Sequence, residues 1–160
     1  KGFYFILYDR RERRWINPAM IITPVQNTRP LQILGVELRD AQGLPVDSAR
    51  LRNLSQGRYT VSVATTNAAR ARENLLAPYR IVCSINGAEA GSLNFESFSA
   101  RDGVLLVYRN GLVPVKQVYA NFPAFEAAEV FLNRGQASLE VIVQDIAGNS
   151  RNALTRVIIN

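Results

Sequence analysis

The sequence predicts an all-β protein, and within that class a two-sheet β-sandwich, on three observations. Seven or more runs of strand length are spread over 160 residues, several of them alternating between apolar and polar side chains. Turn signals at Arg101-Asp-Gly103, Arg109-Asn-Gly111 and Asn133-Arg-Gly135 separate them. No amphipathic helix of convincing length competes with the strands. A closed barrel gives the same strand lengths and alternation, so the sandwich leads and the barrel stays open.

The elements follow in order. Phe3 to Tyr8 is an aromatic and aliphatic run of strand length, Asp9 to Arg14 a charged turn, and Trp15 to Asn17 a return strand stopped by Pro18. Pro18, Pro24 and Pro30 bias the residues before them toward extended backbone, so 19–31 reads as an extended connector. Leu31 to Arg39 opens a new domain with a strand closed by the turn Asp40-Ala-Gln-Gly43. In Gly57 to Ala64, Tyr59, Val61 and Val63 alternate with Arg58, Thr60 and Ser62, the clearest half-buried strand in the chain. Asn67 to Leu76 has the composition of a short helical turn. Tyr79 to Ile85 is a strand closed by Asn86-Gly87, a hairpin dipeptide whose two residues both tolerate positive φ. Further strands are expected at Leu93 to Phe98, Val104 to Tyr108, Val115 to Tyr119, Ser138 to Gln144 and Leu154 to Ile159. The expected organisation is a tail strand and connector over residues 1–30, left from a preceding domain, and the sandwich over 31–160.

Composition narrows the chemistry. There is no histidine and one cysteine, so zinc sites built from His or paired Cys, Ser–His or Cys–His catalytic pairs and internal disulfides cannot be assembled from this sequence. No run approaches the roughly 18 apolar residues of a membrane-spanning helix. Of the 19 cations, all but Lys1 and Lys116 are Arg, and the net charge is +6. Outside 10–14 they are spread singly along the chain, which argues against a nucleic-acid stripe and suits the outward faces of strands. The chain opens without methionine, as a piece of a longer polypeptide would.

Leu139 to Gln144, then Asp145-Ile-Ala-Gly-Asn149 and the alternating Thr155 to Ile159, resemble the last hairpin of bacterial immunoglobulin-like and fibronectin-III-like domains. Asp145 can hydrogen-bond the turn backbone, while Gly148 and Asn149 accept the left-handed conformations of a tight reversal. A second resemblance covers more of the chain. Gly2 to Asp9, Arg14-Trp-Ile-Asn-Pro18, Gly57 to Val63 and Ala77 to Gly87 look like the region after the catalytic core of lysostaphin-type (LytM-like) peptidoglycan endopeptidases. There the last strand of a zinc peptidase leads through an Asn-Pro exit to an immunoglobulin-like accessory domain. The resemblance implies a bacterial cell envelope, a neighbouring domain of the same polypeptide as partner, and peptidoglycan or an envelope or host protein as contact. The family's zinc and catalytic histidines have no counterpart here, so no cofactor is expected and any peptidase activity would lie elsewhere.

The candidate contact residues are Arg10, Arg11, Arg13 and Arg14 beside Trp15, where guanidinium forks and an indole surface suit acidic or glycan ligands. The plain reading of the same stretch is a solvated hairpin tip partly neutralised by Asp9 and Glu12. Phe122 and Phe125 flank Pro123 on a second candidate patch, exposed if the loop is not folded inward. Phe95, Phe98, Tyr108, Tyr119 and Phe131 are aromatics that a carbohydrate site would use, and most of them are read as core. Glu126 with Glu129, and Glu37 with Asp40, are carboxylates three apart that an acid/base hydrolase would need, though solvated faces and turn caps explain them as well. Asp145, Asn149 and Asp102 lack the clustering of a calcium site. Cys83 shares a face with Tyr79 and Ile81 and reads as a buried structural thiol. The expected function is a non-catalytic accessory module, with an adhesin-like module as the alternative and a carboxylate hydrolase third.

Overall fold

The computed structural model describes residues 6–22, 31–66 and 77–160, and Asn67 to Leu76 with their expected helical turn lie outside it. The chain folds as two antiparallel sheets, with the strands β1 (Leu7–Asp9), β2 (Arg14–Ile16), β3 (Gln32–Arg39), β4 (Gly57–Thr66) and β5 (Arg80–Ile85). These are followed by β6 (Ala88–Arg101), β7 (Val104–Arg109), β8 (Leu112–Pro114), one helical turn α1 (Val115–Val118), β9 (Ala124–Leu132), β10 (Gly135–Gln144) and β11 (Ser150–Ile159). The larger sheet runs β1-β2-β6-β5-β10-β11, with β7 and β8 added to the other side of β6, and the smaller runs β3-β4-β9. Among the described residues neither sheet closes on itself, and the fold is a sandwich rather than a barrel.

Local chemistry accounts for most of these elements. Val61 and Val63 of β4, and Ile81 and Cys83 of β5, are fully buried between the sheets, as their alternation requires. Asn86 and Gly87 both take positive φ, 52° and 83°, and join β5 to β6. Asp145 accepts the backbone N–H groups of Ala147 and Asn149 at 3.0 and 2.9 Å, and Gly148 sits at φ 88°, which closes the β10–β11 hairpin.

Two expectations are corrected, and one strand is added to those expected. Val115 to Tyr119 is not a strand: Pro114 sets the first turn and Tyr119 N–H returns to the Val115 carbonyl, giving α1. A helical turn sends Val115 and Val118 to the same side, both against the core, whereas a strand would send them to opposite faces. The connector is not extended throughout, since Pro18–Met20 form a 3₁₀ turn capped by the Asn17 side chain, with Pro18 in a position helix starts favour. Ala124–Leu132 is a nine-residue strand at the edge of the smaller sheet that the sequence did not announce. Its pairing with β4 slips between Val61 and Ser62, and this bulge breaks the alternation of Ala-Phe-Glu-Ala-Ala-Glu-Val.

The bulge also decides the fate of the two glutamates. Residues three apart on a regular strand face opposite ways, but the extra residue turns Glu126 and Glu129 to one side. There both meet Arg109 of β7, whose guanidinium donates to Glu126 at 3.0 Å and Glu129 at 3.1 Å. Arg109 is only 6% exposed, so this arginine points inward and bridges the two sheets rather than decorating a strand's outer face. Asn110 and Gly111 make the adjoining turn, and the Asn110 side chain holds Ser92 N–H and the Ala90 carbonyl of β6.

Candidate functional site

Strand β6 has β7 on one side and two strands end to end on the other. β5 pairs with it as far as Asn94, and β2 takes over at Ser97 and Phe98. Between them the two chains part: Asn17 leaves β2 and Tyr79 enters β5, and both are anchored to the stretch of β6 that neither strand covers. Asn17 N–H donates to the Glu96 carbonyl at 2.8 Å, and its side-chain amide donates to the Phe95 carbonyl at 3.1 Å. Phe95 N–H donates to the Tyr79 carbonyl at 3.0 Å. A cleft of about 450 Å³ opens at this gap.

Its lining is mainly apolar and aromatic, with Trp15, Phe95, Phe98, Tyr119, Pro78 and Ile146 among the walls. Phe95 forms the floor, with ring centroids 6.3 Å from Phe98, 5.9 Å from Tyr119 and 5.8 Å from Phe125. Beside the cleft, the Tyr79 hydroxyl donates to Glu96 at 2.7 Å. That bond is the main reason the Glu96 carboxyl stays below its ordinary value; burial opposes it, and Arg80 and Arg14 add to it. Burial, reinforced by the Glu96 bond, pushes Tyr79 up to about 12. Because Glu96 titrates lower in the folded chain, its contribution to stability is present above the ordinary value of 4.5 and is lost as pH falls through the lowered one. Tyr79 titrates higher, so its contribution is present below pH 10.0 and is lost as pH rises toward 12. Tyr79→Phe is therefore expected to flatten the stability profile at both ends in chemical denaturation across pH. An alkaline limb as steep as that of the wild type would refute this assignment.

The contact residues expected from the sequence are partly brought together. Arg10, Arg11 and Arg13 are exposed on the β1–β2 turn and Arg14 at the start of β2; Asp9 accepts N–H bonds from Arg11 and Glu12, and Arg14 lies 3.9 Å from Asp9. Trp15 packs against Tyr8 at 5.4 Å and lines the cleft. The two phenylalanines separate. Phe122 is 47% exposed and stacks on Tyr119, while Phe125 is 1% exposed and belongs to the core, because the inward register of β9 begins with it. Phe95, Phe98 and Tyr119, read from the sequence as core, also form the cleft; Tyr79 and Asn17 carried no local signal. Cys83 is buried, and desolvation pushes its thiol up to about 12, leaving it protonated and unreactive at neutral pH. Among the described residues no helix is long and apolar enough to cross a membrane.

These features define an antiparallel β-sandwich with an aromatic cleft where an N-terminal hairpin joins the larger sheet. A family model for a domain of unknown function matches residues 30–160, and the chain belongs to that family. The matched span excludes the hairpin that supplies Trp15. No curated protein matches the chain.

Proposed function

We propose that the chain is a non-catalytic accessory module that holds a partner in the cleft between the N-terminal hairpin and β6. The observation that carries this reading is the cleft itself: a concave, largely apolar site with exposed arginines on the adjoining hairpin turn and a few placed polar groups at its edge. Of the two carboxylate pairs open to a hydrolase reading, Glu126 with Glu129 is engaged with Arg109 across the sheets, while Glu37 lies 2.8 Å from Arg39 and Asp40 accepts the Gln42 and Leu44 N–H groups of its turn. The resemblance of the hairpin and of the β4 and β5 stretches to the region following lysostaphin-type peptidase cores suggests where such a module works. It would sit in a bacterial cell envelope, position or regulate a neighbouring peptidase domain, and contact cell wall.

Retention on purified peptidoglycan tests this directly. The wild-type chain is expected to be retained, and Trp15→Ala to weaken retention about tenfold, the effect of losing one well-packed aromatic contact. Replacing Arg10, Arg11, Arg13 and Arg14 with Ser is expected to weaken it further at moderate salt. Equal retention of Trp15→Ala and wild type would remove the cleft as the contact, and a wild-type chain that is not retained would remove the cell wall as partner.

A further inference from the structure

The edge of the larger sheet at β11 has a property that the cleft does not explain. β11 pairs with β10 in uninterrupted register from Ser150 to Ile159, with no bulge and no proline. At its end, Leu54 N–H donates to the Ile158 carbonyl and Asn160 N–H to the Leu54 carbonyl. The even-numbered residues of β11 thus direct their backbone groups away from β10, and the odd-numbered ones bond to it. Leu54 covers the edge only beyond Arg156, and the Arg151 side chain bonds the Ser150 carbonyl at 2.8 Å. Among the described residues the N–H and C=O groups of Asn152, Leu154 and Arg156 have no partner, a ladder ready for another strand.

The side chains along this edge select what could fill it. Leu154 is 60% exposed at the centre of the open stretch. Arg151 and Arg156 flank it, and Ser150 to Asn160 contain no acidic residue. On the outer face beside Arg156 lies a second cleft, of about 410 Å³, lined by Arg52, Arg156, Asn86, Gln136 and Ser138 together with apolar atoms of the hairpin. Neither arginine of that cleft is ion-paired with a described residue. An identical edge brought alongside would add more arginines to the same strip, whereas an acidic strand would neutralise it.

We propose that β11 is a docking edge for an extended acidic segment of a partner protein, which adds to the larger sheet as a further strand across Asn152 to Arg156. Residues directly opposite on paired strands share a face, so the partner residue across from Leu154 is apolar and the one across from Arg156 is Glu or Asp, reaching the Arg52–Arg156 cleft. In an antiparallel approach the partner reads acidic-x-apolar. The surface is separate from the aromatic cleft, and each proposal stands or falls without the other.

The test uses the 160-residue chain with a capped synthetic peptide, Thr-Glu-Thr-Val-Thr-Thr, and its Lys-for-Glu counterpart. At peptide concentrations on the order of millimolar, amide exchange at Asn152, Leu154 and Arg156 is expected to slow about tenfold with the Glu peptide only, while Ala153 and Thr155, already bonded to β10, stay as they were. Leu154→Pro removes an outward N–H without removing a β10 bond and is expected to abolish the protection. Arg156→Glu leaves the backbone intact and is expected to reverse the preference to the Lys peptide, which keeps the test valid if the proline variant unfolds. Unchanged exchange at the three amides overturns the proposal, as does equal protection by both peptides. Protection that rises with protein concentration and needs no peptide overturns it in favour of a second copy of the chain.

Discussion

Arg109→Ala is expected to be among the most destabilising single substitutions in this protein, at about 3–5 kcal/mol, the range for breaking a buried ion pair by removing one partner. The arginine lies on β7, the two glutamates lie on β9, and the three side chains form a link between the sheets. Removing the guanidinium leaves Glu126 largely buried and uncompensated, and it opens a gap beside Leu93, which pairs with Arg109 across β6 and β7. Glu129 is more than half exposed and turns to water at little cost. The loss should therefore follow Glu126. Thermal unfolding should shift down by roughly 10 °C, at about 2–4 °C per kcal/mol for a chain of this size. The double variant Arg109→Met with Glu126→Gln should recover much of it, because it removes both buried charges and keeps the volume. A double variant as unstable as Arg109→Ala would show that packing, and not the stranded carboxylate, sets the cost.

Gly91→Ala should be the second severe change, although it adds a single methyl group. Gly91 lies on β6 against Ala128 of β9, and a Cβ there would stand 2.7 Å from the Ala128 Cβ and 2.7 Å from the Asn110 amide nitrogen. Neither neighbour yields easily: Ala128 sits at the β9 bulge, and Asn110 is held by Ser92 N–H and the Ala90 carbonyl. Overpacking of this kind costs about 1–3 kcal/mol, and displacing Asn110 would add the loss of its two hydrogen bonds at about 1 kcal/mol each. Ala128→Gly in the same chain removes one clash and leaves the other, so partial rescue is expected in denaturant unfolding. Full stability of Gly91→Ala alone would mean that the sheets can separate at this point without penalty.

Both predictions concern the place where the sheets meet, and little of that place was legible in the sequence. The cues that succeeded were local. Alternation in Tyr59, Val61 and Val63 fixed the inward face of β4, and Asn86-Gly87 and Asp145 to Asn149 marked reversals through their own backbone preferences. The β9 bulge hid a strand of the smaller sheet because one extra residue destroys the period that such reasoning follows. Arg109 was grouped with outward arginines because its residue type argues for solvent, and only Glu126 and Glu129 on another sheet reverse that. Phe125 was paired with Phe122 by proximity in the chain, yet strand register buries one and leaves the other half exposed.

The sequence by itself determined the all-β class, most strand positions, several turn positions and the lack of histidine chemistry, because each depends on residues within a few positions of one another. The tertiary structure alone decided which strands share a sheet, that β2 and β5 meet end to end along β6 and leave the aromatic cleft, and that β11 ends the larger sheet among the described strands. Those outcomes depend on pairings between residues far apart in the chain. A strand's period says which face is buried but carries no record of the neighbour it is buried against.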